Sequence, residues 1–425
     1  MEKFWNERAE TMSRDELVKA QLDGLNRTLA RVWEHNAFYR GRLQAAGLSE
    51  GRVASLDDVR NLPFLTKEDF REGYPLEMLS VPRKELREMH MSSGSTGTPV
   101  VMAYTEADLD QWAECMARCY AMAGMAEGET VQITPTFGLF NGGFGFYHGA
   151  RKAGLFAIPA SSGNTARQVM LLRDFKVKAL GGVVSYASRI LEMLEEKGMT
   201  LPDLKVGIFG AESFSEALRE RVERAMGIKT FDIYGMTETG GVGTTGMDCA
   251  ARCGLHVWED HYIMEIVDPN TGAPVADGGV GEVVFTSLTR EALPVIRYRT
   301  RDLSRVVSRE RCACGRTSVR IERIHGRCDD MLIVKGVNFF PKQVEQVLME
   351  IPGVLPEYQI ILEGRDGVYD VRINVEAEEG VTGFVIEKAL KERLGFSPKG
   401  DVFKPGALPR SEGKAQRVIR RDLPA

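Results

Sequence analysis

Read from the N-terminus, the chain first shows positions at helical spacing. Leu17, Gln21, Leu25, Leu29, Val32 and Trp33 fall on one stripe, which predicts helix through residues 1–50 with that stripe turned to a core. Pro63 then ends an element, and Thr66 is placed to cap the next helix. Two apolar stretches, Met89-His90-Met91 and Val100-Val101-Met102, flank a run of small residues. A helix from Thr105 follows, with Leu109, Trp112, Met116 and Tyr120 on one side.

Beyond it, short apolar runs alternate with helical periods. Strands are expected at 131–135, 153–159, 179–184, 206–210 and 230–234, with helices at 165–175, 188–197 and 215–226. This alternation predicts an α/β fold with a doubly wound, mostly parallel sheet. After Gly254 the rhythm shortens. Strands at 257–267, 281–286 and 304–307 are joined by Asp268-Pro269-Asn270-Thr271-Gly272 and Asp277-Gly278-Gly279, turn chemistry that suits an antiparallel β subdomain at about 250–326. From 327 to 425 a compact α+β unit is expected. It has strands at 331–334, 357–362 and 369–375 and helices at 341–350 and 382–394.

Composition narrows the picture. With 425 residues the chain is too long for one ordinary domain, and 43% hydrophobic content is enough for real cores. A net charge of −5 with no basic block gives nothing to a nucleic-acid reading. The N-terminus carries neither a signal peptide nor an anchor, and no stretch approaches a membrane span, so the cytoplasm is the expected location. Seven cysteines, an odd number without an export signal, argue against a disulfide framework. Cys249, Cys253, Cys312 and Cys314 form two close pairs; they read as a metal site or as buried reduced thiols.

Six polar stretches carry candidate chemistry. The run Ser92-Ser93-Gly94-Ser95-Thr96-Gly97-Thr98-Pro99 could crowd backbone N–H groups and hydroxyls around a phosphate, or could be an exposed hairpin. Gly210-Ala211-Glu212-Ser213 and Tyr234-Gly235-Met236-Thr237-Glu238 each follow a strand. The others are Arg297-Tyr298-Arg299-Thr300-Arg301-Asp302, Gly326-Arg327-Cys328-Asp329-Asp330-Met331, and Gly413-Lys414-Ala415-Gln416-Arg417. Alone, Glu238 is a carboxylate at a helix start and Asp302 a strand-end residue.

In this order and spacing the stretches resemble the adenylate-forming acyl-CoA synthetases, and within them the phenylacetate–CoA ligase family. The likeness runs from about Trp5 to Arg417. It is strongest from Met91 to Pro99 and from Leu255 to Pro341, where Gly254-Leu255-His256-Val257-Trp258-Glu259-Asp260-His261 and Glu291-Ala292-Leu293-Pro294-Val295-Ile296 lie. The resemblance implies an AMP-forming acid–thiol ligase. ATP and a carboxylate would give an acyl-adenylate and pyrophosphate, and coenzyme A would then displace AMP. It implies that Ser92, Ser93, Gly94, Ser95, Thr96 and Gly97 wrap the β- and γ-phosphates. Thr237 would meet the α-phosphate, Glu238 would hold Mg²⁺, and Asp302 would accept the ribose hydroxyls. Tyr234, Gly235, Ala211 and Glu212 would line the adenine slot, with Asp232, Met236, Arg323 and Arg327 in the same nucleotide set. Lys414 would reach in from the tail as a catalytic cation. Asp329 would be the hinge of a mobile C-terminal domain.

Phe137, Phe140, Phe144 and Phe146 are interleaved with glycines. By the same resemblance Phe137, Phe140, Gly142, Gly143, Gly210 and Ala211 border the acyl pocket, which favours a small aryl carboxylic acid such as phenylacetate. A packed strand–turn–helix junction would account for part of these aromatics equally well. The resemblance also implies a structural Zn²⁺ on Cys249, His256, Cys312 and Cys314, with Cys253 as the substitute for His256, and a homodimer. Two positions depart from the family pattern. Thr98 stands where many relatives carry lysine, and Asn338 where many carry arginine. Three readings stay open: a CoA ligase, an adenylating enzyme for another acid or a deazaflavin coenzyme, and a non-catalytic nucleotide-binding protein.

Overall fold

The computed structural model describes residues 4–48, 50–92, 98–212, 214–330, 332–334, 337–365, 368–410 and 415–422. Its N-terminal part is three helices rather than one: Glu7–Glu10, Arg14–His35 and Ala37–Ala45. Two caps set the breaks. Ser13 and Glu16 form a capping box at the start of the long helix. The Asn36 carboxamide accepts from Tyr39 N at 3.0 Å and donates to Met78 O at 2.6 Å, ending one helix and starting the next. The expected stripe holds, with Leu17, Gln21, Leu25, Leu29 and Val32 buried. Thr66 caps Lys67–Glu72, and Thr105 caps Glu106–Met122.

One nine-stranded sheet organises the larger part. In spatial order its strands are Val306–Ser308, Arg320–Ile321, Leu255–Val257, Gly246–Asp248, Lys229–Tyr234, Val206–Gly210, Ala179–Gly182, Thr130–Ile133 and Phe156–Ile158. The last five run parallel, with helices as crossovers. The first four are antiparallel. Segment 250–326 therefore serves two sheets. It also builds a four-stranded antiparallel sheet of Tyr262–Val267, Gly281–Ser287, Tyr298–Ser304 and Gly326–Arg327. The strand expected at 257–267 is interrupted where His261 N and Tyr262 N both donate to Trp258 O, and the Trp258 indole is tied to Gly243 O at 2.8 Å. The strand expected at 304–307 is likewise the end of one strand and the start of another.

The C-terminal unit pairs Lys399–Phe403, Val368–Ala377, Val354–Arg365 and Val418–Asp422 in one sheet, with helices Pro341–Met349 and Gly383–Leu394 against it. The strands at 399–403 and 418–422, and the short hairpin partner Val337–Phe339, carry no strong periodicity and were not expected. No helix among the described residues is long and apolar enough to cross a membrane.

Candidate active site

Parallel sheets present ligand sites at the carboxyl ends of their strands. Here Gly210 pairs with Ile233, so the loops that leave Val206–Gly210 and Lys229–Tyr234 emerge side by side. That closeness selects the residues. A Cβ on Gly210 would lie 2.4 Å from Ile233 O, and one on Gly235 would lie 2.3 Å from Gly241 O. Between the loops Ala211 holds a left-handed φ of 64°, backbone strain of the kind that collects at functional sites.

Asp302 reaches this corner from the antiparallel sheet. Tyr234 Oη donates to its Oδ2 at 2.7 Å, and Arg327 lies 3.5 Å from its Oδ1. Burial and the neighbouring carboxylate push the Tyr234 phenol well above its ordinary range. Arg327 is held in turn by both oxygens of Asp329, at 2.9 and 2.8 Å. One layer down, Asp232 and Arg323 face each other at 2.6 Å, with the guanidinium 4.2 Å over the Phe214 ring. Asp248 accepts from Asp232 N at 2.8 Å. Burial, opposed by Arg219, raises the Asp248 carboxyl to about 6.

Thr237 and Glu238 sit on a 3₁₀ turn, Thr237–Thr239, and Met236 packs on the main core. Thr237 Oγ1 accepts from Asn141 Nδ2 at 3.0 Å. Glu238 is buried, hydrogen-bonded by the Tyr298 hydroxyl, and 3.7 Å from Lys67 Nζ. The sequence reading missed Asn141, Tyr298 and Lys67 in these roles, because each partner is remote along the chain.

Asn141 precedes helix Gly142–Lys152, so the glycine–aromatic segment is half loop and half helix. Phe137, Phe144 and Tyr147 form edge-on pairs at 5.4 and 6.1 Å, and Phe140 stands half exposed beside them. Gly142 and Gly143 pack under Pro135 and Thr136. Phe146 points the other way, fully buried against Tyr120 and Gly181; it belongs to the core. A cluster the sequence did not suggest backs this wall. Glu88 accepts from His90 at 2.6 Å and from His148 at 3.2 Å. Burial opposes ionisation of Glu88, but the two histidine contacts outweigh it and bring the carboxyl down to about 2.

Two expected parts, Ser93 to Gly97 and Lys414, lie outside the described residues, as does the side chain of Asn338. Their neighbours are placed. Ser92 N donates to Val100 O, and Ser92 Oγ accepts from Val100 N, both at 2.9 Å. Ala415 N lies 3.4 Å from Glu212 Oε2, and Glu212 also accepts from Ser185 N at 2.6 Å. Burial raises the Glu212 carboxyl. The C-terminal unit docks on the same side. Ser215 N donates to Glu345 Oε1 at 2.7 Å, Lys342 Nζ to Ile324 O at 2.6 Å, and Arg410 pairs with Glu192 at 3.2 Å. Burial and then Arg323 draw the Lys342 ammonium down to about 8.

A second constellation lies away from these loops. Ligand atoms of Cys249, His256, Cys312 and Cys314 all fall within 4.8 Å of one another. Cys249 and Cys312 sulfurs are 3.8 Å apart, and Cys314 Sγ is 3.4 Å from His256 Nε2. The other imidazole nitrogen meets Ser318 Oγ at 3.1 Å, the outer hydrogen bond that orients a ligating histidine. Three sulfurs and one imidazole in a compact group, buried except for the partly exposed Cys314, suit tetrahedral zinc. Cys253 Sγ sits 3.4 Å from Cys312 Sγ and accepts from Arg320 at 2.7 Å.

Comparison with known proteins identifies the family. Residues 49–289 match the AMP-binding enzyme family and residues 336–421 the AMP-binding enzyme C-terminal domain. The chain is 39% identical to a phenylacetate-coenzyme A ligase of Thermus thermophilus, covering 96% of this chain and 98% of that one. It is 39% identical to the one of Escherichia coli, with 96% of each covered, and 40% identical to that of Aromatoleum evansii, covering 97% of this chain and 96% of that one. Among solved structures, 2-hydroxyisobutyryl-CoA ligase in the postadenylation state with 2-HIB-AMP superposes with a TM-score of 0.92 at 28% identity, covering 99% of this chain and 93% of the other. The same ligase in the thioesterification state, with CoA, gives 0.75. The docked C-terminal unit thus matches the postadenylation arrangement.

Proposed function

The chain belongs to the phenylacetate–CoA ligase family of adenylate-forming enzymes, and from that premise we propose that it activates an aryl carboxylic acid, phenylacetate first, with ATP and transfers it to coenzyme A. The observation that carries this reading is the convergence of Thr237, Glu238, Tyr234 and Asp302 beside the aromatic wall of Phe137, Phe144 and Tyr147.

The chemistry asks for three things. A carboxylate is a weak nucleophile and the phosphates repel it, so the site must neutralise charge and align the attack. In our reading Asp302, on giving up Tyr234, accepts the ribose hydroxyls and sets the nucleotide's register. Tyr234, Gly235, Ala211 and Glu212 shape the adenine slot over the Asp232–Arg323 pair. Glu238 is the carboxylate that would hold Mg²⁺, a hard cation suited to oxygen ligands, which when bound neutralises phosphate charge. Thr237, kept in place by Asn141, offers its hydroxyl to the α-phosphate. Because Asn141 starts the acyl-side helix, nucleotide and acid positions are coupled through one hydrogen bond. Ser92 to Gly97 and Lys414 complete the phosphate site in this proposal, and rotation about Asp329 would exchange the adenylation arrangement for the thioester-forming one. Domain limits of 1–326 and 327–425 belong to the same reading, as does assembly into a homodimer.

Zinc is proposed on Cys249, His256, Cys312 and Cys314, with a structural role only, since all four positions are filled by protein.

Pyrophosphate release is the test. Aryl, arylacetic and aliphatic acids are supplied with ATP and Mg²⁺, with and without coenzyme A. Phenylacetate or a close aryl acid should give the highest rate, and sustained AMP release should require coenzyme A. Turnover of AMP without coenzyme A would favour an adenylating enzyme of another kind. Silence with every acid would sink the enzymatic reading.

A further inference from the structure

Trp112, on helix Glu106–Met122, reads in the sequence as one more member of a core stripe. In the structure its indole is wholly buried and lies between the two elements that face the reacting groups. On one side is helix Gly142–Lys152, which carries Phe144 and Tyr147 of the aromatic wall. On the other is the segment that runs on from the Thr237–Thr239 turn. Each presents a glycine to the same edge of the indole. A Cβ on Gly145 would lie 2.6 Å from Trp112 Cζ2, and one on Gly241 would lie 2.3 Å from that same atom. Gly241 also holds a φ of 123°, which side-chain-bearing residues rarely adopt. The six-membered ring of the indole thus fills two glycine notches at once.

The indole is itself fixed. Its Nε1 donates to Val242 O at 2.9 Å. Tyr104 stacks on it, with centroids 5.3 Å apart and planes 17° from parallel. His90 and His148 meet it edge-on at 5.6 and 5.7 Å, the other favoured aromatic geometry. Val242 Cγ1 shares the Gly145 notch, 2.5 Å from where a Cβ would stand.

We infer that Trp112 is a positioning residue of the adenylation step: a rigid spacer between Gly145 and Gly241 that sets the distance from the acid-binding wall to the turn that meets the α-phosphate. The inference rests on the adenylating function proposed above. In that step a carboxylate oxygen bonds to the α-phosphorus, and the bond from this phosphorus to the bridging oxygen breaks, pyrophosphate leaving with the electron pair. The two reacting atoms must start about 3–3.5 Å apart, and a misplacement of about 1 Å costs on the order of 100-fold in rate. Acid and nucleotide are held by different elements, so their separation needs both a tie and a stop. The Asn141–Thr237 hydrogen bond is a tie. A close-packed ring resists compression, and Trp112 is the stop.

Pyrophosphate release by the purified full chain tests this with benzoate, phenylacetate and 3-phenylpropionate, which differ only in the carbons between ring and carboxylate. KM for ATP is measured alongside. Trp112→Phe withdraws the atoms that fill the notches and the Nε1 donor. It should lower kcat with phenylacetate about tenfold or more and leave KM for ATP within about threefold of wild type. The loss should grow with acid length, because elements that lose their spacer settle together. Gly145→Ala overfills the same notch and should act in reverse, costing the shortest acid most. Combined, the two changes should bring kcat and the order of acids back toward wild type. Equal losses for all three acids in both variants, or a double variant that regains the wild-type melting temperature without regaining kcat, reduce Trp112 to core packing and overturn the inference. If Trp112→Phe does not fold, the order of acids with Gly145→Ala decides alone. Failure of the functional reading looks different: the wild-type protein itself would release no pyrophosphate with any acid.

Discussion

The proposed nucleotide corner and the cysteine–histidine cluster are built from overlapping stretches of one chain, 232–327 and 249–314, on opposite principles. In the corner, Asp302 and Glu238 have partners that a ligand could replace, and Thr237 is positioned by one that stays. Tyr234 holds Asp302, Lys67 holds Glu238 and Asn141 holds Thr237. In the cluster, four donors converge on one another, and the outer nitrogen of His256 is already used by Ser318. Buried polar groups must be paired in both places. The difference is whether the pairing is exchangeable. A reactive site keeps provisional partners so that binding costs little desolvation, whereas a structural site commits its donors to one occupant.

Glu238→Gln should break the exchange most severely. Acid-dependent pyrophosphate release should fall on the order of 100-fold or more, while the melting temperature stays near wild type, since the amide still accepts from Tyr298. A variant that kept its rate would remove Glu238 from the reaction. The cluster should behave in reverse. Elemental analysis should find about one zinc per chain. Cys312→Ser or prolonged chelation should remove the metal and lower the melting temperature by roughly 5–10 °C, with residual folded protein still releasing pyrophosphate. Metal-free protein of full stability would show that the thiols are simply buried. A smaller effect is expected for Tyr234→Phe. It removes one neutral partner from Asp302 and should change KM for ATP by about tenfold or less; an unchanged KM and a lowered melting temperature together would make the contact structural. Smallest of all, Cys253→Ser should leave the metal content unaltered, because in the proposed site His256 supplies the fourth ligand. Loss of zinc in that variant would exchange the two assignments.

How far these regions could be read from the chain differs for physical reasons. Caps are local, so Thr66 and Thr105 marked helix starts that the structure keeps. Ser13 with Glu16 is an equally local signal for the first of the two breaks that divide the expected single helix, and Asn36 for the second. The parallel strands were visible because each is a short apolar run bounded by turn residues. Strands such as Lys399–Phe403, which lean on neighbours for their pairing, were not. Phe140 and Phe146 look alike in sequence, yet one is half exposed and the other buried, because helix Gly142–Lys152 begins between them and turns Phe146 inward. The cysteine spacing pointed to a metal group but left five candidates. Only the fold brings His256 Nε2 to Cys314 while leaving Cys253 to Arg320.

The order of residues alone settled the layout: alternating strands and helices, a change of rhythm after Gly254, and a run of motifs whose succession marks an adenylate-forming chain. Those properties are local or collinear, and they survive without knowledge of packing. The tertiary structure decided partnership. Lys67 with Glu238, Asn141 with Thr237 and Tyr234 with Asp302 are pairs far apart in the chain. Each exists because folding brings together groups remote in sequence and withdraws them at least partly from water, where pairing offsets the lost hydration.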